Sequence, residues 1–169
     1  MKKLAKLTAL LLTGVMLLLL ASCGAAPNPL TPEQQARQEI FNAIDEVRKK
    51  AGSPSLQEVP ALTQLEQEFI ENFREAGTNG IPLGEAKKLE GERMDKQKKA
   101  GWQRTGGSTY SNFGSSAKLS HVYEGDTEAF RKMLEYFSGV EDASTALSIG
   151  VVTIEGKIYW TATTLKPIT

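Results

Sequence analysis

The sequence predicts a mixed α+β domain: an α-β-α sandwich with a small central antiparallel sheet between helices, ending in a β-hairpin. Apolar residues recur at helical spacing through the first half of the chain, whereas residues 146–154 and 157–165 are rich in β-branched and aromatic residues. Glu155-Gly156 joins these two segments as a hairpin turn. Bulky residues alternate onto both faces of each segment, so we expect helices to cover the sheet on both sides.

Residues 1–22 are predicted to be a lipoprotein signal peptide. Three lysines within the first six residues precede an apolar core, Leu7–Leu20, which is shorter than the roughly 20 residues of a membrane span. The sequence 20–23, Leu-Ala-Ser-Cys, is similar to a lipobox, so we expect Cys23 to carry a lipid anchor on the extracytoplasmic side of an envelope membrane. An ordinary secretory signal and a retained membrane helix are the alternatives.

Composition limits the classes of partner. Removal of residues 1–22 takes away three lysines from a chain with 20 basic and 20 acidic residues, which leaves a net charge of about −3. This balance gives no support for binding to nucleic acid. Cys23 is the single cysteine, so the mature chain has no internal disulfide. We assign residues 23–33 to the lipidated cysteine and a flexible tether, and residues 34–169 to one domain.

Helix signals follow the tether. Thr31, Pro32 and Gln34 form a typical helix start, and Gly52 ends that helix. A second helix is predicted from about Pro60 to Gly77. Glu85–Lys99 is highly charged, and its mixed acids and bases predict a solvated helix that buries only a narrow face.

The second half contains a shorter helix and a candidate strand. Lys118–Glu124 alternates in character and is predicted to be one strand, with His121 and Tyr123 on the same face. Asp126 or Thr127 caps a further helix. The apolar face of that helix comprises Phe130, Met133, Leu134 and Phe137.

Four segments together resemble the CAP superfamily, the cysteine-rich secretory, antigen-5 and pathogenesis-related type of domain. They are the opening IFNAIDEVRKKAGSPSLQEVPALTQLEQEFI, Ser111-Asn112-Phe113 in place of the family's G-E-N motif, the helix FRKMLEYFSG and the closing ALSIGVVTIEGKIYWTATTL. The resemblance implies an α-β-α sandwich. It also implies a groove in which two histidines and two glutamates can hold a divalent metal.

The chain departs from that ligand set. The loop 77–84 and the stretch 139–144 contain no histidine, and Ser111 stands where the motif glutamate would be. His121 is the single histidine, in a segment that the family's metal motif does not match. We therefore expect neither a family-type metal site nor a cofactor.

The remaining candidates form a groove near residues 102–124. The candidate residues are aromatic or polar: Trp102, Tyr110, Ser111, Asn112, His121, Tyr123 and Glu124. A partly exposed histidine beside a carboxylate can transfer protons near neutral pH, although a histidine at a sheet edge and aromatic residues of a core are the structural alternatives.

These observations favour a non-catalytic module that binds a protein, a cell-wall component or an apolar ligand. An envelope hydrolase acting on peptidoglycan or peptide through His121 and a carboxylate is one alternative, and a purely structural envelope protein is another.

Overall fold

The computed structural model describes residues 29–138 and 143–169. The predicted signal peptide, Cys23 and most of the tether lie outside the described residues. Thr31–Thr169 forms one compact unit. Within the described ranges, no helix combines the length and the apolar character needed to cross a membrane.

The domain is mixed α+β, as the sequence predicted. Its helices are α1 (Pro32–Lys50), α2 (Pro60–Glu71), α3 (Leu83–Lys99) and α4 (Glu128–Ser138). Its strands are β1 (Gln57–Glu58), β2 (Ile81–Pro82), β3 (Trp102–Ser108), β4 (Ser111–Phe113), β5 (Ser116–Lys118), β6 (Val122–Tyr123), β7 (Ala146–Ile154) and β8 (Lys157–Pro167).

The helix starts follow the predicted capping chemistry. The Thr31 hydroxyl accepts a hydrogen bond from the Gln34 amide at 3.2 Å, and the Gln34 side chain accepts one from the Thr31 amide at 3.0 Å. This reciprocal pair satisfies two backbone groups that a helix leaves without partners. At α4, the Thr127 hydroxyl accepts from the Phe130 amide at 3.1 Å.

The larger sheet has the strand order β1-β7-β8-β3, and β6 shares the outer edge of β8 with β3. β7 and β8 are antiparallel and joined by Glu155-Gly156, where both residues have positive φ. That backbone matches the twist of a two-residue hairpin. β1 pairs with β7 in parallel, so the sheet is not wholly antiparallel. A second sheet, β2-β5-β4, lies outside this order.

Two apolar clusters pack on opposite faces of the β7–β8 hairpin. On the first, the α1/α4 face, Ile149 and Trp160 pack with Ile40 and Leu134. On the second, the α2/α3 face, Val152 packs in a cluster with residues of α2 and α3. Because successive residues of a strand point to opposite sides, each strand supplies both clusters.

Side chains replace a missing strand along the outer edge of β7. The Gln67 amide donates to the Val151 carbonyl at 2.7 Å and accepts from the Val151 amide at 3.0 Å. Two residues further, Glu33 accepts from the Thr153 amide at 2.7 Å, and Arg74 donates to the Thr153 carbonyl at 3.3 Å. These contacts satisfy backbone groups that would otherwise need water.

One sequence expectation is wrong. Lys118–Glu124 is not one strand: β5 pairs in the small sheet, β6 pairs with β8, and the intervening residues pass from one sheet to the other. The charged helix α3 buries a narrow face, as expected, but that face includes Arg93 and Gln97. Arg93 is buried because it finds a buried acidic partner in α2.

Candidate functional site

The predicted groove residues lie on different sides of the sheet. Tyr110 packs on the α2/α3 face, with its ring centroid 6.3 Å from that of Phe69 and 6.2 Å from that of Phe73. Trp102 packs against a small cluster that contains Leu62 and Leu165. His121 instead contacts Trp160 on the α1/α4 face. The segment 102–124 therefore does not form one groove.

The other predicted groove residues also lie in different surroundings. Ser111 donates to the Ser120 hydroxyl at 3.0 Å, and Asn112 and Glu124 are exposed. Tyr123 packs edge-on against Phe130, with ring centroids 5.2 Å apart. Only His121 among the seven lines an apolar cleft on the α1/α4 face.

That cleft, which we call the His121 cleft, has a volume of about 260 Å³. It is lined by residues from β3, the turn before β6, α4 and β8: Gly107, His121, Met133, Tyr136, Phe137 and Trp160. Most of the lining is aromatic or aliphatic, as is typical of small-molecule sites.

Close packing of two strands requires glycine beside this cleft. Gly107 in β3 has φ of +142°, and a Cβ atom there would lie 2.4 Å from the carbonyl oxygen of Ala162 in β8. The register of β3 against β8 is irregular just before this point, between Arg104 and Gly106. Only glycine permits this close approach of the two backbones.

Helix α4 supplies one wall. Met133, Tyr136 and Phe137 have i, i+3 and i+4 spacing, which places them on one side of the helix. Phe137 is buried, whereas Tyr136 is 59% exposed at the rim. Trp160 from β8 is fully buried, and its indole nitrogen has no hydrogen-bond partner among the described residues.

His121 is the polar ring of the cleft. Its carbonyl accepts a hydrogen bond from the Trp160 amide at 3.0 Å, and its ring centroid lies 5.1 Å from that of Trp160. Its Nδ1 lies 2.9 Å from Met133 Sδ. A thioether has no proton to donate, so this contact is a hydrogen bond in the tautomer that carries its hydrogen on Nδ1. Burial holds the pKa of His121 below its usual value, which favours the neutral ring.

Tyr123 belongs to a second, charged cleft of about 480 Å³ whose lining includes Glu39, Glu46, Asp126 and Arg131. The Tyr123 hydroxyl donates to Glu39. Burial, and then the neighbouring Glu39 carboxylate, raise the pKa of Tyr123. The same hydrogen bond lowers the pKa of Glu39.

Sequence analysis did not predict the buried ion pair on the opposite face. Glu66 in α2 is fully buried, and its carboxylate accepts from Arg93 Nη1 at 2.6 Å, Thr161 Oγ1 at 2.7 Å and Thr163 Oγ1 at 3.0 Å. The position of Glu66 could have indicated its burial, because Glu66 lies four residues after Leu62 and three before Phe69, within the apolar stripe of α2.

This ion pair is enclosed. The Arg93 guanidinium also stacks over the Phe69 ring at 4.1 Å. The nearest cleft, which Arg93 helps to line, has a volume of only about 60 Å³. That volume suits water rather than an organic ligand.

In the described ranges, no group of three or more His, Cys, Asp and Glu side chains is placed to hold a metal ion. The stretch 139–144, where the second family histidine would lie, is described only from residue 143. Comparisons with protein-family models, curated proteins and solved structures find no match to this chain.

Proposed function

We propose that this protein is a non-catalytic binding module that takes a small apolar ligand in the His121 cleft. The observation that carries the proposal is the cleft itself, in which three aromatic side chains and a thioether surround one imidazole. Apolar ligands bind by removing such surfaces from water, and a few polar groups fix their orientation.

Cleft size restricts the ligand. Typical sites for drug-sized ligands span about 300–1,000 Å³, and the His121 cleft has about 260 Å³. It suits a single aromatic ring or a short acyl segment better than a folded partner. A polar group on the ligand would face the imidazole, which is the polar ring of this cleft.

The proposed setting is the extracytoplasmic side of an envelope membrane, where the lipid on Cys23 anchors the domain. Support comes from the lipobox-like sequence at residues 20–23 and from the compact unit that begins at Thr31. The proposed family is the CAP superfamily, in a divergent form with an α-β-α sandwich. Helix-packed clusters on both faces of the β7–β8 hairpin support that arrangement.

The hydrolase alternative is less well supported. General acid–base catalysis needs a histidine within hydrogen-bond reach of its partner groups. Met133 occupies the Nδ1 side of His121. Among the described residues that line this cleft, none is acidic. Glu124, the carboxylate nearest in sequence, is exposed.

Binding can be tested by NMR with residues 29–169 and toluene, indole and octanoate as probes. We expect at least one probe to shift the amide signals of Gly107 and His121. Tyr136→Ala should weaken that binding about tenfold, because it removes an aromatic wall worth roughly 1–1.5 kcal/mol.

Phe113→Ala is the matched control. Phe113 is 57% exposed, as Tyr136 is 59% exposed, but it lies in β4 of the small sheet. We expect it to leave probe binding unchanged. If no probe shifts the cleft signals, or if both variants bind alike, the cleft is not the ligand site and the structural alternative gains support.

A further inference from the structure

We infer that the domain rests on the bilayer that holds its lipid anchor through one particular end, with Phe113 inserted into the lipid interface. This end, which we call the tether end, comprises the first turn of α1, the β7–β8 turn and the β4–β5 hairpin. The inference rests on the proposed lipid anchor at Cys23, and it is independent of the ligand proposed for the His121 cleft. The partner is a phospholipid bilayer, not a second protein chain.

Side-chain contacts hold the three elements of the tether end together. Glu33, in the first turn of α1, accepts a hydrogen bond from the Thr153 amide at 2.7 Å, close to the end of β7. Phe113 from β4 lines a cleft of about 260 Å³ with Ile154 and Tyr159, which flank the β7–β8 turn. The start of the domain and the β4–β5 hairpin therefore lie at the same end of the β7–β8 hairpin.

The short chain before the domain favours this end. Seven residues, 24–30, separate Cys23 from the helix cap at Thr31. Even fully extended, they allow a span of at most about 28 Å. Helix α1 has 19 residues, which gives it a length of about 28 Å, and it runs away from the tether end. For the opposite end to face the bilayer, the tether would have to be fully extended along the whole helix, which costs conformational entropy.

The tip of the β4–β5 hairpin has the chemistry of a segment that enters the lipid interface. Residues 111–117 carry no charge, and Phe113 is 57% exposed. An isolated exposed phenylalanine is common on protein surfaces. Here the adjoining cleft adds the half-buried apolar surfaces of Leu119 and Tyr159. Removing this surface from water is favourable at the membrane interface, where aromatic side chains are enriched.

The charged side chains of the tether end suit an anionic bilayer. Lys118 lines the same cleft as Phe113, and Lys157 begins β8 beside the turn. A long lysine side chain can place its ammonium group among anionic headgroups while its stem stays on apolar surface. The acidic side chains Glu33 and Glu155 have partners within the domain: Glu33 pairs with an arginine of the segment after α2 at 3.2 Å, and Glu155 accepts from a threonine hydroxyl at 3.1 Å.

Quenching of tryptophan fluorescence by lipids that carry bromine on their acyl chains tests the inference. The chain with its lipid anchor is reconstituted in vesicles of phosphatidylcholine and phosphatidylglycerol. Trp102→Phe leaves Trp160, which is fully buried, as the one native tryptophan. Phe113→Trp then adds a reporter at the hairpin tip. We expect the brominated lipid to quench most of the added emission.

Tyr136→Trp is the matched control. Tyr136 is 59% exposed, close to the value for Phe113, but it lies near the opposite end of α1. Its neighbour Phe137 accepts a hydrogen bond through its carbonyl from Arg48, in the last turn of α1, at 3.2 Å. A reporter at Tyr136 should not be quenched. Equal quenching at the two positions, or none at Phe113 in a chain that carries lipid, would overturn the inference.

Hydrogen exchange gives a readout that needs no substitution. The amides of the β4–β5 hairpin should exchange more slowly in the anchored chain on vesicles than in residues 29–169 free in solution, and those of α4 should not change. Equal exchange of the hairpin in the two samples contradicts the inference. Protection that grows with protein density, without quenching by brominated lipid, would assign this surface to contact between copies of the chain and also overturn it.

The mass of the purified chain separates this inference from the proposal on which it rests. A chain without acyl groups on Cys23 would overturn both the membrane setting and the docked orientation. A lipidated chain whose reporter at Phe113 is not quenched would overturn the orientation alone. The His121 cleft is decided separately, by the NMR probes.

Discussion

The two faces of the β7–β8 hairpin differ in their buried polar groups and in the open space beside them. On the α2/α3 face, Glu66 is surrounded by Arg93, Thr161 and Thr163, all of which donate to its carboxylate. On the α1/α4 face, Trp160 keeps an indole N–H without a partner among the described residues, beside an open cleft. The first face encloses an ion pair within its packing, whereas the second has open space beside a buried donor, and open space is what a ligand needs.

The largest expected effect of a substitution lies on the α2/α3 face. Glu66→Leu leaves Arg93 buried without its partner, so we expect the free energy of unfolding to fall by about 3–5 kcal/mol in urea denaturation. Glu68→Ala is the control: Glu68 is exposed on the same helix and pairs with Lys96 at 3.2 Å. Loss of this exposed ion pair should lower the free energy of unfolding by at most about 1 kcal/mol.

The double variant Glu66→Leu/Arg93→Leu sharpens this comparison, since it removes both charges together. We expect it to be more stable than Glu66→Leu alone. If the single and double variants unfold at the same urea concentration, the ion pair is not what makes this face sensitive.

A smaller loss is expected beside the cleft. Gly107→Ala forces a side chain into a φ of +142° and against the Ala162 carbonyl, so unfolding should become easier by roughly 1–3 kcal/mol. Gly114→Ala is the control, because Gly114 also has positive φ but no atom lies within 4 Å of its added Cβ. A thermal melt in which both variants shift equally would show that backbone strain, not the contact with β8, limits this position.

The smallest effect is local and depends on pH. Tyr123→Phe removes the hydrogen bond that lowers the pKa of Glu39, so that pKa should rise toward 4.5. A carboxyl group whose pKa is lower in the folded state than in the unfolded state stabilises the fold at pH values above its unfolded-state pKa. This stabilisation is lost as the pH falls through the folded-state pKa. The variant should therefore be less acid-sensitive than the parent. NMR titration of the Glu39 carboxyl carbon measures the shift, and an unchanged pKa contradicts the assignment.

Local sequence patterns correctly predicted the structural features that depend only on residues close together in the sequence. The Thr31 capping box, the α4 cap at Thr127 and the Glu155-Gly156 turn all follow from short spacings, and the structure contains each. The prediction of one strand at Lys118–Glu124 was wrong because the two ends of this segment pair with strands of different sheets. Alternation of residue types along a segment does not indicate which partner strand each part will pair with.

The candidate site was predictable only in part. His121 was one of the seven predicted groove residues, but Met133 and Phe137 were assigned to the apolar face of a helix, because periodicity does not distinguish a core from the wall of a cleft. Glu66 was missed because its burial depends on Arg93, 27 residues later in the chain, and on Thr161 in the last strand. The position of Glu66 within the apolar stripe of α2 indicates burial, but neither helix pattern identifies the distant groups that compensate its charge.

The side-chain contacts along β7 have a consequence for self-association. An exposed strand edge is a template onto which another chain can add, and proteins block such edges to stay monomeric. Here the side-chain amide of Gln67 bonds both the backbone amide and the carbonyl of Val151. Glu33 and Arg74 bond the backbone amide and the carbonyl of Thr153. A second molecule would have to displace these side chains before its own strand could pair, so the edge resists the first step of sheet-mediated aggregation.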